Sequence, residues 1–165
     1  MNDSSLFSSD VDLSRKIYNA ALALLGRREY SQKELHTKLT TKFGSHDQFL
    51  SADVEAALQR LESEGYLSDT RYAEAWVRSR MNRGFGRERL RMELAEKGVD
   101  EAIAEEALDG KVEEWPEVIE TVWRKKFKQN PQGYAEKAKH MKFLRYRGFG
   151  FSEIEALFER LNREI

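Results

Sequence analysis

One four-residue pattern, met three times, restricts the fold of this chain more than any other feature. Arg28-Glu29-Tyr30-Ser31 is followed by Leu35 and Leu39, Arg83-Gly84-Phe85-Gly86 by Leu90 and Leu94, and Arg147-Gly148-Phe149-Gly150 by Ile154 and Phe158. Each copy is an arginine, a free position, an aromatic and a small residue, with apolar residues four and eight positions after the small one. Apolar residues at that spacing lie on one face of a helix, so a helix must leave each copy. Gly84 and Gly148 can take the left-handed conformation that ends a helix. Ser31, Gly86 and Gly150 stand where an N-cap is required, and Ser31 with Glu34 makes a capping box. The pattern is a corner between two helices with an aromatic wedged inside. Its recurrence points to stacked helical units. The repeat is imperfect, because the third copy joins the second and third helices of its unit, whereas the others join the first and second.

Around these corners the periodicity predicts nine helices, at 14–25, 31–43, 52–64, 69–83, 87–97, 100–109, 115–128, 132–147 and 152–163. Their apolar stripes include Leu22, Leu25, Leu35, Leu39, Val54, Leu58 and Leu61, then Tyr72, Ala73, Trp76, Val77, Leu90, Leu94, Ile103 and Ala107. The last three helices offer Trp115, Val118, Ile119, Val122 and Trp123, then Tyr134, Ala138 and Met141, then Ile154, Leu157, Phe158 and Leu161. No strand alternation competes with them. The expected fold is all-α: three tandem three-helix repeat units in an elongated, curved array. The units are 14–67, 68–110 and 111–165, preceded by a flexible polar tail at 1–13.

Charge is segregated along the chain. Residues 98–120 carry nine acidic side chains and one basic, and residues 121–147 carry nine basic and one acidic, within a total net charge of −1. The bland explanation is that the acidic block faces the basic one. The alternative is a local field that recruits a partner. The candidate binding residues are Arg71, Arg78, Arg80, Arg83, Arg87 and Arg91 in the centre, and Arg124, Lys125, Lys137, Lys142, Arg145 and Arg147 farther on. Arginine forks and lysine charges suit phosphates or acidic protein surfaces. The neighbouring aromatics are assigned to the core.

Enzyme chemistry finds little support. His36, His46 and His140 are scattered, belong to no metal-ligand pattern, and read as surface or cap histidines. Arg83-Gly84-Phe85-Gly86 lacks the lysine and strand context of a phosphate loop. There is no cysteine, hence no thiol nucleophile, thiolate zinc site or disulfide framework. No serine elbow is present. No catalytic, cofactor or metal residue is assigned, and the chain is expected not to be an enzyme. No apolar stretch is long enough to span a bilayer.

The run Gly65-Tyr66-Leu67-Ser68-Asp69-Thr70-Arg71-Tyr72-Ala73 resembles the signature of the RecX family. The likeness continues through Arg78-Ser79-Arg80, the Gly84-Phe85-Gly86 corner, Arg89, Leu94 and Lys97-Gly98-Val99. The flanks agree, with Arg28, Tyr30, Ser31, Glu34, Leu35 and Leu39 before, and Arg124-Lys125-Lys126-Phe127 and Phe143-Leu144-Arg145-Tyr146-Arg147-Gly148-Phe149 after. Ser68 departs from the expected second acidic residue. The resemblance implies a regulator that lodges in the groove of the RecA filament on single-stranded DNA. It would suppress strand exchange, ATP hydrolysis and the filament's stimulation of repressor self-cleavage. Recombination, DNA repair and the DNA-damage (SOS) response would thereby be damped. It further implies contact with single-stranded DNA, directly or through the filament, a cytoplasmic location, no membrane, no cofactor and a monomer. Two other readings stay open: a stand-alone nucleic-acid-binding protein, and a helical scaffold for an unrelated protein.

Overall fold

A computed structural model describes residues 4–164, with side chains from residue 11 onward. Among these residues every regular element is a helix: α1 (Ser4–Leu25), α2 (Gln32–Phe43), α3 (Ser51–Ser63), α4 (Asp69–Asn82), α5 (Arg87–Glu96), α6 (Glu101–Asp109), α7 (Trp115–Lys126), α8 (Gly133–Tyr146) and α9 (Phe151–Arg163). Helix bounds agree with the periodicity to within two residues except at the start of α1. That helix begins at Ser4, inside the segment expected to be a tail. No breaker interrupts it, and Leu13, Ile17 and Ala21, spaced by four, are all buried. Residues 1–3 lie outside the described residues.

Packing divides the chain into two compact bodies. One holds the chain up to Tyr72 together with Lys97–Val99; the other holds Ala73–Glu96 and the chain from Asp100 onward. Most of the expected second three-helix unit shares a body with the third, while its residues 68–72 and 97–99 fall in the first body. In the first body α1, α2 and α3 pack on one another around Leu35, Leu39, Val54 and Leu61, all buried. In the second, α5 packs on α6, and α7, α8 and α9 pack together around Trp115, Ile119, Trp123, Leu144, Ile154 and Leu157.

The corners behave as their chemistry dictates. Gly84 and Gly148 have φ of +81° and +100°. Ser31 and Glu34 form the reciprocal capping box. Glu153 accepts the Gly150 N–H at the start of α9. The structure also explains the imperfect repeat. In the first body the Ser31 hydroxyl donates to the Lys97 carbonyl at 2.8 Å, and Gly98 lies against Lys33. In the second body the Gly86 N–H donates to the Arg147 carbonyl at 2.8 Å, and the Glu88 N–H to Gly148 at 3.0 Å. Arg147–Gly150 is therefore the counterpart of Lys97–Asp100, the joint between the second and third helices of a unit. Within each body one such joint docks on one corner: Lys97 on Ser31 in the first, and Arg147 and Gly148 on Gly86 and Glu88 in the second.

The corner aromatics are not equally enclosed. Phe149 is fully buried, whereas Phe85 is half-buried and ringed by the guanidiniums of Arg80, Arg89 and Arg147 at 4.0, 4.2 and 5.1 Å from its centroid. Phe149→Ala should cost about 3–5 kcal/mol in urea unfolding, as expected of a buried phenylalanine. Phe85→Ala should cost clearly less, since part of its ring already meets solvent. Equal losses would contradict this packing.

Sequence periodicity misplaces several side chains. Tyr134 and Ala138 are exposed and Met141 is half-buried, while His140 and Leu144 fill the core side of α8. His140, expected at the surface, is buried. Its ring stacks on Phe127 with centroids 3.7 Å apart, and its Nδ1 accepts the Trp123 indole N–H at 3.1 Å. Burial lowers its pKa, which suits a neutral ring holding a core hydrogen bond. On α6, Ala104 and Leu108 are the buried positions in place of Ile103 and Ala107.

Candidate binding surface

A cation already held by a carboxylate is poorly placed to recruit a partner, so the ion pairs sort the twelve candidates. In the first body Arg71 reaches Glu29 at 3.0 Å and the Tyr66 carbonyl at 3.1 Å, tying α4 to the first corner. In the second body Arg80 grips Glu93 with two bonds, at 3.0 and 2.7 Å. Both side chains are largely sequestered, at 17% and 15% exposure. Glu93 also accepts from Trp76 and Arg89. Arg87 bonds to Glu105 and Asp109, and Arg91 to Glu105. Arg124 meets Glu120 and Glu164, Lys137 meets Glu155 at 3.6 Å, and Arg145 meets Glu88 at 2.7 Å.

These pairs redirect the charge argument. The acidic residues Glu105 and Asp109 hold arginines of α5, and only Glu120 reaches into the basic block, at Arg124. Of the two readings of the charge pattern, one has the acidic segment facing residues 121–147. It turns instead toward α5, because α5 and α6 are the helices that pack together. Most of the basic block is left without carboxylate partners among the described residues.

Three candidates converge. Arg83, Lys125 and Arg147, with Lys126, line a groove of about 680 Å³ in the second body. Its apolar wall includes Val122 and Phe143. Arg83 and Lys125 are exposed and carry no ion pair among the described residues. Among the described residues Arg147 is held by the Arg83 carbonyl, at 3.4 Å, and by the Phe85 and Phe143 rings. Glu114 and Glu117 line the same groove at the N-terminal end of α7, with Lys125 and Lys126 at its C-terminal end. Each charge complements the helix dipole there, so the groove is electrically polarised along α7. Arg78 and Lys142 are also exposed and without ion pairs among the described residues, but lie outside the groove. Among the described residues no three His, Asp or Glu side chains cluster to hold a metal ion. No described helix is long and apolar enough to cross a membrane.

Carboxylate titrations follow the same pairs. Burial would raise the Glu93 carboxyl, but hydrogen bonds from Arg80 and Trp76 and the Arg80 charge outweigh it and hold the group below its ordinary value of 4.5. Its stabilisation is therefore fully present above that value and is lost as pH falls through the lower folded pKa. Burial raises Glu153, against the Gly150 hydrogen bond and despite Arg87. That group costs stability at neutral pH, and the cost fades on acidification. Glu93→Gln should lower the urea midpoint at neutral pH and shrink the acid loss of stability, while Glu153→Gln should not shrink it. An unchanged acid limb in Glu93→Gln would show that its pairs contribute nothing.

Lys126 belongs to the basic run that the sequence shows beside Lys125 and shares its groove. Sequence reasoning misses the exposed tyrosines of α8, because the spacing of Tyr134 from Ala138 and Met141 suits a buried stripe.

Comparison with known proteins agrees with this architecture. Residues 18–61, 68–108 and 113–158 match the models of the first, second and third three-helix domains of RecX. The chain is 37% identical over 151 residues to the regulatory protein RecX of Pseudomonas entomophila (strain L48), covering 91% of this chain and 94% of the relative. It is 37% identical over 147 residues to that of Legionella pneumophila (strain Corby), covering 88% and 95%. The crystal structure of RecX from Lactobacillus salivarius superposes with a TM-score of 0.80 at 27% identity, over 93% of this chain and 99% of that one. A second crystal structure of regulatory protein RecX gives 0.74 at 21% identity, over 96% and 78%, a likeness of fold.

Proposed function

The chain belongs to the RecX family, and from that premise we infer that it binds the RecA filament on single-stranded DNA and lowers its strand-exchange, ATPase and co-protease activities. It acts as a monomeric cytoplasmic regulator of recombination and the DNA-damage response. The observation that carries this reading is the convergence of Arg83, Lys125, Lys126 and Arg147 on one groove after the other arginines of the centre, Arg78 apart, are absorbed in ion pairs. A groove with cationic and acidic ends and an apolar wall fits a mixed surface of protein and phosphate better than a bare polyanion.

Titration into a RecA ATPase assay on single-stranded DNA tests it. Substoichiometric protein should lower the rate, and added salt should weaken the effect as surface charges are screened. If folded protein in excess leaves ATP hydrolysis and filament length unchanged, the reading fails. Tight sequence-specific duplex binding without RecA would favour a stand-alone nucleic-acid-binding protein instead.

A further inference from the structure

One helix walls the groove of the second body from end to end. Glu114, the N-cap of α7, and Glu117, Val118, Thr121, Val122 and Lys125 within the helix all line the cavity. Steps of three and four separate them, so they form one seam along a single side of α7. The other side buries Trp115, Ile119 and Trp123, and α7 packs on α8 and α9. The middle of the seam is mainly apolar: Val122 is buried, Val118 half-buried and Thr121 exposed. Its ends carry unmatched charge. Glu117 at one end, and Lys125 and Lys126 at the other, are exposed and have no ion pair among the described residues. Arg147 reinforces the cationic end, since its guanidinium and the Lys126 ammonium lie 5.7 and 5.6 Å from the Phe143 ring.

We propose that this seam receives an amphipathic helix of a protein partner, lying along α7 with its acidic end over Lys125 and Lys126 and its basic end over Glu117. The proposal rests on reading the groove as the binding surface, and it adds the shape and charge order of what binds there. An extended peptide draws its affinity from the unpaired backbone groups of a sheet edge. The wall here is a helix, whose N–H and C=O groups already bond along its own length. An occupant must therefore satisfy its own backbone, as a helix does. Steps of three and four are also the spacing at which the side chains of one helix lodge between those of another. Charge settles the remaining choice. Glu114 and Glu117 would repel a uniform polyanion, and Lys125 and Lys126 a uniform polycation, whereas a helix with acids at one end and bases at the other meets both. From Glu114 to Lys126 the seam runs about 18 Å at 1.5 Å per residue, the length of about three helical turns.

The probe is a labelled synthetic helix with leucines at steps of three and four, glutamates in its first turn and lysines in its last. Fluorescence anisotropy follows its titration with the full chain. One control has the same composition with glutamates and lysines interspersed, and another carries a central proline that breaks the helix. The charge-segregated helix should bind saturably, the interspersed one roughly fivefold or more weakly, and the broken one not at all. Val118→Asn, which would bury an unmatched amide, should lose roughly tenfold in affinity. Thr121→Tyr, which fills the seam from an exposed position, should also weaken binding and leave circular dichroism unchanged. Glu114→Lys with Glu117→Lys should shift the preference to a helix with glutamates in both terminal turns. A nitroxide on the first turn of the probe should broaden amide resonances around Lys125, and one on the last turn those around Glu117. Equal affinity for all three peptides, seam variants that bind like the parent, or broadening at the opposite ends would overturn the proposal. The RecA ATPase is measured beside each titration. A chain that inhibits it but ignores the helix defeats the proposal alone and leaves the regulatory reading standing. A chain that binds the helix yet leaves the ATPase untouched supports the seam and removes RecA as its partner.

Discussion

Gly148→Ala is expected to be among the most destabilising single methyl additions in the second body. Gly148 has φ of +100°, and an L-residue held in the left-handed region costs about 1–2 kcal/mol. A Cβ there would also run into the Cβ and backbone nitrogen of Arg89. Because backbone cannot rotate aside, relief would require the corner to move, stretching the bond from the Glu88 N–H to the Gly148 carbonyl. Overpacking of this kind adds roughly 1–3 kcal/mol, for a combined loss of about 2–5 kcal/mol. Gly133 supplies the control. Its φ is +83°, yet nothing lies within 4 Å of the Cβ position, so Gly133→Ala should show the conformational cost alone. Urea unfolding reads both, as a lower midpoint with an unchanged slope. Equal losses for the two variants would mean that the docked corners contribute nothing.

The same glycine marks how far the sequence could be read. Local chemistry was legible: left-handed Gly84 and Gly148, the Ser31–Glu34 capping box, and the ends of eight helices all follow from rules spanning a few residues. Three-helix units were legible because the corner repeats. Which joint docks on which corner was not, since the pairs Gly86–Arg147 and Ser31–Lys97 join residues more than sixty positions apart in the chain. Side-chain partnerships failed for the same reason. Composition blocks suggested that residues 98–120 face residues 121–147, but helix packing brings Glu105 and Asp109 to Arg87 instead. On α8 aromatic spacing alone does not mark the buried side. His140 and Leu144 fill the core there, leaving Tyr134 in water.

Those partnerships decide which charge reversals test binding and which test folding. Arg83→Glu combined with Lys125→Glu should weaken inhibition of RecA by roughly tenfold or more, because two attractive charges beside the groove become repulsive ones. Stability should fall by no more than about 1 kcal/mol, chiefly from reversing Lys125 at the C-terminal end of α7. Arg87→Glu should behave in the opposite way. Its guanidinium is 22% exposed and bridges Glu105 and Asp109, so reversal would set three carboxylates together at the α5–α6 contact. A loss of about 1–3 kcal/mol follows, below that for a fully buried pair because solvent screens part of it. A combined reversal at Arg78 and Arg87 would therefore confound the two effects. Measuring inhibition and urea midpoint on the separate variants resolves them. An Arg83/Lys125 variant that inhibits like the parent would remove the groove from the contact, whereas one that unfolds would show that these cations support the fold after all.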